Sequence, residues 1–84
     1  MSTSHAEVIA RAVDVRCTDE ELQVVLEDGR RLAAPLAWFP SLLAAAPPER
    51  ADWRLIAGGE GIHWDALDED ISVQGLLRGE RAHR

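Results

Sequence analysis

Residues 58–70 concentrate side chains that do chemistry: glycines, a His-Trp pair and a run of carboxylates. The candidate metal ligands are His63, Asp65, Asp68, Glu69 and Asp70. An imidazole with carboxylate oxygens suits a transition metal, and several converging oxygens suit a hard cation. The spacing matches neither an EF-hand loop nor a zinc signature, so no metal is predicted. The competing interpretation is that the carboxylates are solvated, cap the following turn, or pair with Arg50, Arg54 or Arg78.

The same stretch offers less support for a catalytic site than for a binding site. His63, Ser72 and an Asp can be drawn as a hydrolytic triad, but the chain has no nucleophile elbow and little room for a substrate pocket. The loop Gly58-Gly-Glu-Gly61 lacks the Lys of a phosphate loop and opens no clear βα unit. Its glycines are predicted to supply positive φ angles instead. No catalytic residue or cofactor is predicted, and we expect a non-enzymatic protein.

A recognition surface accounts better for these residue types. The chain has three Trp residues, of which at least two are expected in the core or an interface. A Trp left partly exposed beside the acidic run would serve as an interface anchor, and the surrounding carboxylates would steer a basic protein partner. The predicted interaction surface consists of His63, Trp64, Asp65, Asp68, Glu69 and Asp70. The regularly spaced apolar residues of the same stretch are predicted to close a small core, with the carboxylates between them facing solvent or a partner; they are Ile62, Trp64, Leu67, Ile71, Val73, Leu76 and Leu77.

Composition and charge narrow the class of protein. The 84 residues carry a net charge of −6, and all nine basic residues are Arg. This charge disfavours direct nucleic-acid binding, which depends on neutralising phosphates; the local exception is a C-terminal tail with Arg78, Arg81 and Arg84. The lone Cys17 excludes an intrachain disulfide and is expected to be a buried apolar residue. With no signal peptide and no run of about 18 apolar residues, we expect a cytoplasmic protein without a membrane span.

The first half of the chain predicts an antiparallel meander. Alternation predicts a first strand whose buried face carries Ile9, Val13, Val15 and Cys17. Two further alternating runs, residues 21–26 and 30–35, flank Asp28-Gly29, which predicts a hairpin with a type I′ turn.

Prolines delimit the helical elements that follow. A helix is predicted from Pro40, which suits the first helical position, and Pro47-Pro48 ends it. A second helical turn is predicted with Pro48 at its first position. Extended pieces are predicted near residues 53–57 and 62–64, and Ser72 is a candidate cap for a final turn that Gly79 closes.

Four short segments, in this order and spacing, closely resemble a bacterial family known as domain of unknown function 2442. These segments are Glu27-Asp28-Gly29, Trp38-Phe39-Pro40-Ser41-Leu42, Pro48-Glu49-Arg50-x-x-Trp53, and Gly61-Ile62-His63-Trp64-x-x-Leu67-Asp68-Glu69-Asp70-Ile71-Ser72-Val73. The resemblance runs from about Val8 to Leu77. It implies a small α+β fold and no established activity, catalytic residue or cofactor.

The resemblance also implies a regulatory or interaction role. Some members resemble one half of a two-gene cassette with a toxin-like neighbour, and some longer members append a helix-turn-helix, which these 84 residues do not contain. Two positions depart from the family pattern. Pro47 replaces a usual Thr, which removes a helix cap worth about 0.5–2 kcal/mol. Asp65 replaces a frequent Pro and adds charge to the acidic run.

The sequence therefore predicts one α+β domain over residues 1–84, with a core of about residues 8–77 between flexible N-terminal residues and an Arg-rich tail. Its elements are a three-stranded antiparallel meander packed by one main helix, a short second helical turn, and a C-terminal extended segment plus turn. The predicted function is a non-enzymatic protein-interaction module, the antitoxin-like or accessory member of a two-gene pair. The alternatives are a small metal- or ligand-binding domain that uses His63 and the adjacent carboxylates, and a structural homodimer.

Overall fold

A computed structural model describes residues 9–81. Its strands are β1 (Ala12–Cys17), β2 (Glu21–Leu26), β3 (Arg31–Pro35), β4 (Trp53–Ile56), β5 (Gly61–Trp64) and β6 (Glu69–Ser72). Its helices are α1 (Pro40–Ala44), α2 (Pro47–Ala51) and α3 (Val73–Leu77), and single 3-10 turns cover Leu36–Trp38 and Ala57–Gly59. The predictions about the first residues of the chain and about Arg84 lie outside the described part.

The first sheet is the predicted antiparallel meander, in the order β1-β2-β3. Its hairpin is present, but the predicted type I′ turn is wrong, because Gly29 has a positive φ of 93° while Asp28 does not. Three residues, 27–29, lie between Leu26 and Arg30, which a backbone hydrogen bond joins. The N–H of Gly29 donates to the carbonyl of Leu26 at 2.9 Å, and the N–H of Leu26 donates to the carbonyl of Arg30 at 2.8 Å. A three-residue loop with glycine in the left-handed region is the next most common hairpin connection.

A β-bulge in β1 overturns the predicted burial of Ile9 and Val13, whereas Val15 is buried as predicted and Cys17 is half-buried against the core. The register with β2 shifts between Ala12 and Asp14. Ala12 and Val15 are therefore buried, whereas Val13 is 54% exposed and Ile9 is also exposed. An extra residue in one strand moves all following side chains to the opposite face, so strict alternation could not assign this face.

The second half of the chain forms a second antiparallel sheet, in the order β4-β5-β6. The extended pieces predicted separately are thus paired with one another, and together with the short helices they complete an α+β fold. Inward-facing residues alternate along these strands: Ile62 and Trp64 in β5, and Glu69 and Ile71 in β6, are buried. The outer face of the same strands is left for polar side chains.

The helices are short, and α1 and α2 begin at prolines. The predicted main helix starts at Pro40 as expected but is only five residues long. The second helix begins at Pro47, one residue before the predicted Pro48. Its cap residue Ala46 has no side-chain oxygen, and the carboxylate of Glu49 accepts the backbone N–H of Ala46 at 3.0 Å.

Buried residues of both sheets and of the helical segment form a continuous core. Its largest fully buried side chains are Trp64, Leu22, Leu26, Leu36, Leu42, Ile62, Val24 and Val73. The two sheets approach each other at Gly59, where an added Cβ would lie 2.6 Å from the carbonyl oxygen of Ala12. Gly59 also has a positive φ of 97°, so glycine is required there on two grounds.

No helix within residues 9–81 is long and apolar enough to cross a membrane.

Candidate functional site

A row of three charged or ionisable side chains crosses the outer face of the second sheet. Arg54 on β4 pairs in register with His63 on β5, which pairs in register with Asp70 on β6. The neighbours Ile62 and Trp64 point inward, so the strand period of two places His63 on the outer face. Directly opposed residues on antiparallel strands are close enough to interact.

His63 lies between two carboxylates. Its Nε2 is 2.9 Å from Oδ1 of Asp65, and its Nδ1 contacts Oδ1 of Asp70. The His63 side chain is 18% exposed, while those of Asp65 and Asp70 are 63% and 69% exposed. The hydrogen bond to Asp70 raises the pKa of His63, and the charge of Asp70 and then of Asp65 adds to this effect. A protonated ring can donate to both carboxylates at once.

Arg54 completes the cluster by binding Asp65 with two nitrogens. Its Nε is 3.2 Å from Oδ2 and its Nη2 is 3.1 Å from Oδ1. This hydrogen bonding lowers the pKa of Asp65 and raises that of Arg54. Of the three arginines proposed as partners for the acidic run, Arg54 is the one paired with it; Arg50 binds Asp19 and Arg78 binds Glu80.

The arrangement is suited to presenting charge. Within residues 9–81, no three His, Cys, Asp or Glu side chains are placed to hold a metal ion. A metal would need a ring nitrogen of His63 with an available lone pair, and both nitrogens face carboxylates. The Ser72 hydroxyl, considered above as a nucleophile, accepts the N–H of Gly75 at 3.0 Å and caps α3 as predicted.

Two residues of the predicted interaction surface lie in the interior. Trp64 is completely buried, and its indole Nε1 donates to the carbonyl of Arg50 at 2.9 Å. Glu69 is 4% exposed and accepts the hydroxyl of Ser41 at 2.6 Å. The accessible part of the predicted surface is therefore His63 with Asp65, Asp68 and Asp70. Recognising 61–64 and 69–72 as paired strands would have separated the inward from the outward residues.

Arg50, one of the residues that carry the family resemblance, has a structural role. Its guanidinium is buried and donates to the last carbonyls of α1, with Nε 2.9 Å from the oxygen of Leu42 and Nη2 3.0 Å from that of Leu43. Its Nη1 is 3.0 Å from Asp19, in the β1–β2 connection. Since Trp64 also binds its carbonyl, Arg50 links both sheets to the helical segment.

A pocket next to the charged row was missed at the level of sequence. It has a volume of about 220 Å³ and lies along β6, the edge strand of the second sheet. Its lining residues are Phe39, Glu69, Asp70, Ile71, Ser72, Gly75, Leu76, Glu80 and Arg81. They come from three separate segments, so spacing along the chain could not group them. Asp70 belongs to both the pocket and the charged row.

Comparison with protein families identifies the chain's relatives. Residues 12–82 match the model of the family described as Protein of unknown function (DUF2442). No curated protein matches the chain significantly.

Two solved structures share the fold. A crystal structure of a protein of unknown function from Rhodospirillum rubrum is similar with a TM-score of 0.77 and 28% identity, over 89% of this chain and 93% of that chain. A solution NMR structure of an uncharacterised protein from Chromobacterium violaceum is similar with a TM-score of 0.72 and 24% identity, over 87% of this chain and 69% of that chain. The second likeness concerns the fold alone.

Proposed function

This chain belongs to the family of proteins of unknown function DUF2442, and we propose from its own surface that it is a non-enzymatic module that binds a basic protein partner. The partner is bound at the outer face of the second sheet, around His63, Asp65, Asp68 and Asp70. In this proposal the protein acts in the cytoplasm as the antitoxin-like or accessory member of a two-gene pair.

The observation that carries the proposal is the fixed placement of two exposed carboxylates. Asp65 is held by Arg54 and His63, and Asp70 is held by His63 from the neighbouring strand. Charged side chains that are already ordered lose less conformational entropy when a partner binds. The net charge of −6 over the whole chain adds long-range attraction for a basic protein.

The test is a binding measurement with the product of the adjacent gene. The tagged full-length chain and that product are co-expressed, and complex formation is measured by pull-down and then by titration calorimetry at low and high salt. We expect a complex with a basic protein that weakens as salt increases, because screening reduces attraction between exposed charges.

Matched variants locate the contact. Asp65→Asn and Asp70→Asn each remove one charge from the proposed surface and should weaken the complex. Asp28→Asn also removes one exposed, arginine-paired carboxylate, but from the hairpin of the first sheet, so it should bind normally. Equal loss in all three variants would contradict the assigned surface. A chain that binds no partner and is monomeric by light scattering would contradict the function, and a stable dimer would favour a structural homodimer instead.

A further inference from the structure

We propose that the pocket along β6 receives an arginine side chain of the protein partner; this inference rests on the proposed function and specifies its chemistry. The pocket's volume of about 220 Å³ lies below the roughly 300 Å³ at which small-molecule sites begin, so its size suits a single side chain. The exposed side chains Asp70, Glu80 and Arg81 line its mouth, so it is accessible from solvent.

The lining has two parts that match the two parts of an arginine. Phe39, Ile71 and Leu76 provide apolar surface against which the aliphatic stem can pack. Glu69, Asp70 and Glu80 contribute carboxylates to the lining. Asp70 pairs with His63 and Glu80 with Arg78 through one oxygen each, so an incoming guanidinium would bind the other oxygens of these two exposed side chains. A planar guanidinium with five N–H donors can reach more than one carboxylate, which a compact ammonium ion does less well.

Glu80 is positioned towards α3 by a specific feature of the fold. Its N–H donates to the carbonyl of Gly75 at 2.9 Å, and its Oε2 accepts Nε of Arg78 at 3.0 Å. Its other oxygen, Oε1, lies only 2.6 Å from where a Cβ on Gly75 would be. A glycine inside a helix is less stable than an alanine. The absence of a side chain at Gly75 is what leaves room for this carboxylate.

A guanidinium already packs beside the pocket, on the ring of a residue that is not part of the lining. Arg81 lies over the ring of Trp38, with its Cζ 4.5 Å from the ring centroid. Aromatic faces attract cations, and arginine stacks on them readily. A partner arginine would enter beside Arg81, between the apolar surface of Leu76 and the carboxylate of Glu80.

The test uses N-acetyl-arginine amide as the probe and the neutral isostere N-acetyl-citrulline amide as its control. Each is titrated into the ¹⁵N-labelled full-length chain and followed by NMR. We expect saturable shifts with the arginine compound, confined to amides of β6 and α3, and no saturation with the citrulline compound. The Kd of a ligand of this size is expected on the order of 1 mM. Equal binding of both compounds, or shifts that do not saturate, would overturn the proposal.

Three variants test the role of Glu80. Glu80→Gln should weaken binding of the arginine compound about tenfold, the order expected on losing a hydrogen bond between charged groups. Gly75→Ala should have a similar effect, because its methyl group displaces Oε1 of Glu80 while the helix is retained. Glu27→Gln removes an equivalent exposed carboxylate, paired with Arg11, and should bind like the unmodified chain. Unchanged binding in both pocket variants would refute the assigned site.

The partner complex separates failure of this inference from failure of the proposed function. A complex that forms equally well with Glu80→Gln and Gly75→Ala would overturn the pocket as the arginine site and leave the interaction function intact. If the arginine compound binds in a way that depends on Glu80 but the chain binds no protein partner, the pocket is an arginine site and the proposed interaction function is wrong. Both measurements use the full chain, and thermal unfolding of each variant confirms that it is folded.

Discussion

Substitution of Gly59 by alanine is the sharpest test of how the two sheets are joined. Gly59 has a φ of 97°, and its missing side chain allows the carbonyl oxygen of Ala12 to approach. An added Cβ would lie 2.6 Å from that oxygen and 3.3 Å from the backbone nitrogen of the same residue. Backbone atoms cannot swing away as a side chain can, so strand β1 itself would have to move.

Gly58 provides a matched control in the adjacent position. Its φ is 67°, and an added Cβ would meet no atom within 4 Å. Alanine at either position incurs the left-handed backbone strain of about 1–2 kcal/mol. Gly59→Ala adds an overpacking cost of about 1–3 kcal/mol. We therefore expect a loss of roughly 2–5 kcal/mol for Gly59→Ala and of about 1–2 kcal/mol for Gly58→Ala.

These losses are large for so small a protein. A core of this size supplies roughly 3–5 kcal/mol of net stability. Gly58→Ala should therefore remain folded, whereas a substantial fraction of Gly59→Ala should be unfolded without denaturant. Urea unfolding followed by tryptophan fluorescence and circular dichroism measures both free energies of unfolding. Equal destabilisation of the two variants would refute the close approach of β1 to Gly59 as a cause of the difference.

Three further substitutions test local interactions. His63→Gln should lower the thermal midpoint most below about pH 6.5, the ordinary pKa of histidine. Because Asp70 raises the pKa of His63 in the folded chain, the stabilisation by the protonated ring is lost as pH rises through that raised pKa. A difference in thermal midpoint that does not change with pH would contradict this. Trp64→Phe should destabilise by about 1–3 kcal/mol in urea unfolding, since the buried indole no longer donates to the carbonyl of Arg50. Ser72→Ala removes the cap of α3 and should cost about 0.5–2 kcal/mol, whereas a neutral effect would show that the cap contributes nothing.

Only part of the candidate site could be predicted from the sequence. The sequence predicts an interaction surface in the run from His63 to Asp70, and this stays a prediction; Arg54 is among the partners predicted for its carboxylates, and it pairs with Asp65. Trp64 is buried, which agrees with its predicted place in the core and contradicts its place in the interaction surface. The burial of Glu69 is not indicated by the sequence, since it depends on which face of β6 turns inward. The Glu80–Gly75 contact was also missed, because no residue pattern indicates that a carboxylate folds back over a helical glycine.

Several features of the fold could be predicted from the chemistry of neighbouring residues alone. A glycine that accepts positive φ marks the hairpin at Gly29, a proline without an N–H suits the start of α1 at Pro40, and the hydroxyl of Ser72 caps α3. Each effect acts within a single turn of the chain. A few neighbouring residues are therefore enough to predict it.

The face that each strand buries and the pairing of the second sheet were decided only by the tertiary structure. The bulge in β1 exposes Val13 although its neighbours alternate, and residues 53–72 become a second sheet only because three weak extended segments pair with one another. Strand pairing and burial depend on residues far apart in sequence, and a shift of one residue reverses every side chain that follows. The charged row across β4, β5 and β6 and the pocket beside it exist only at that level.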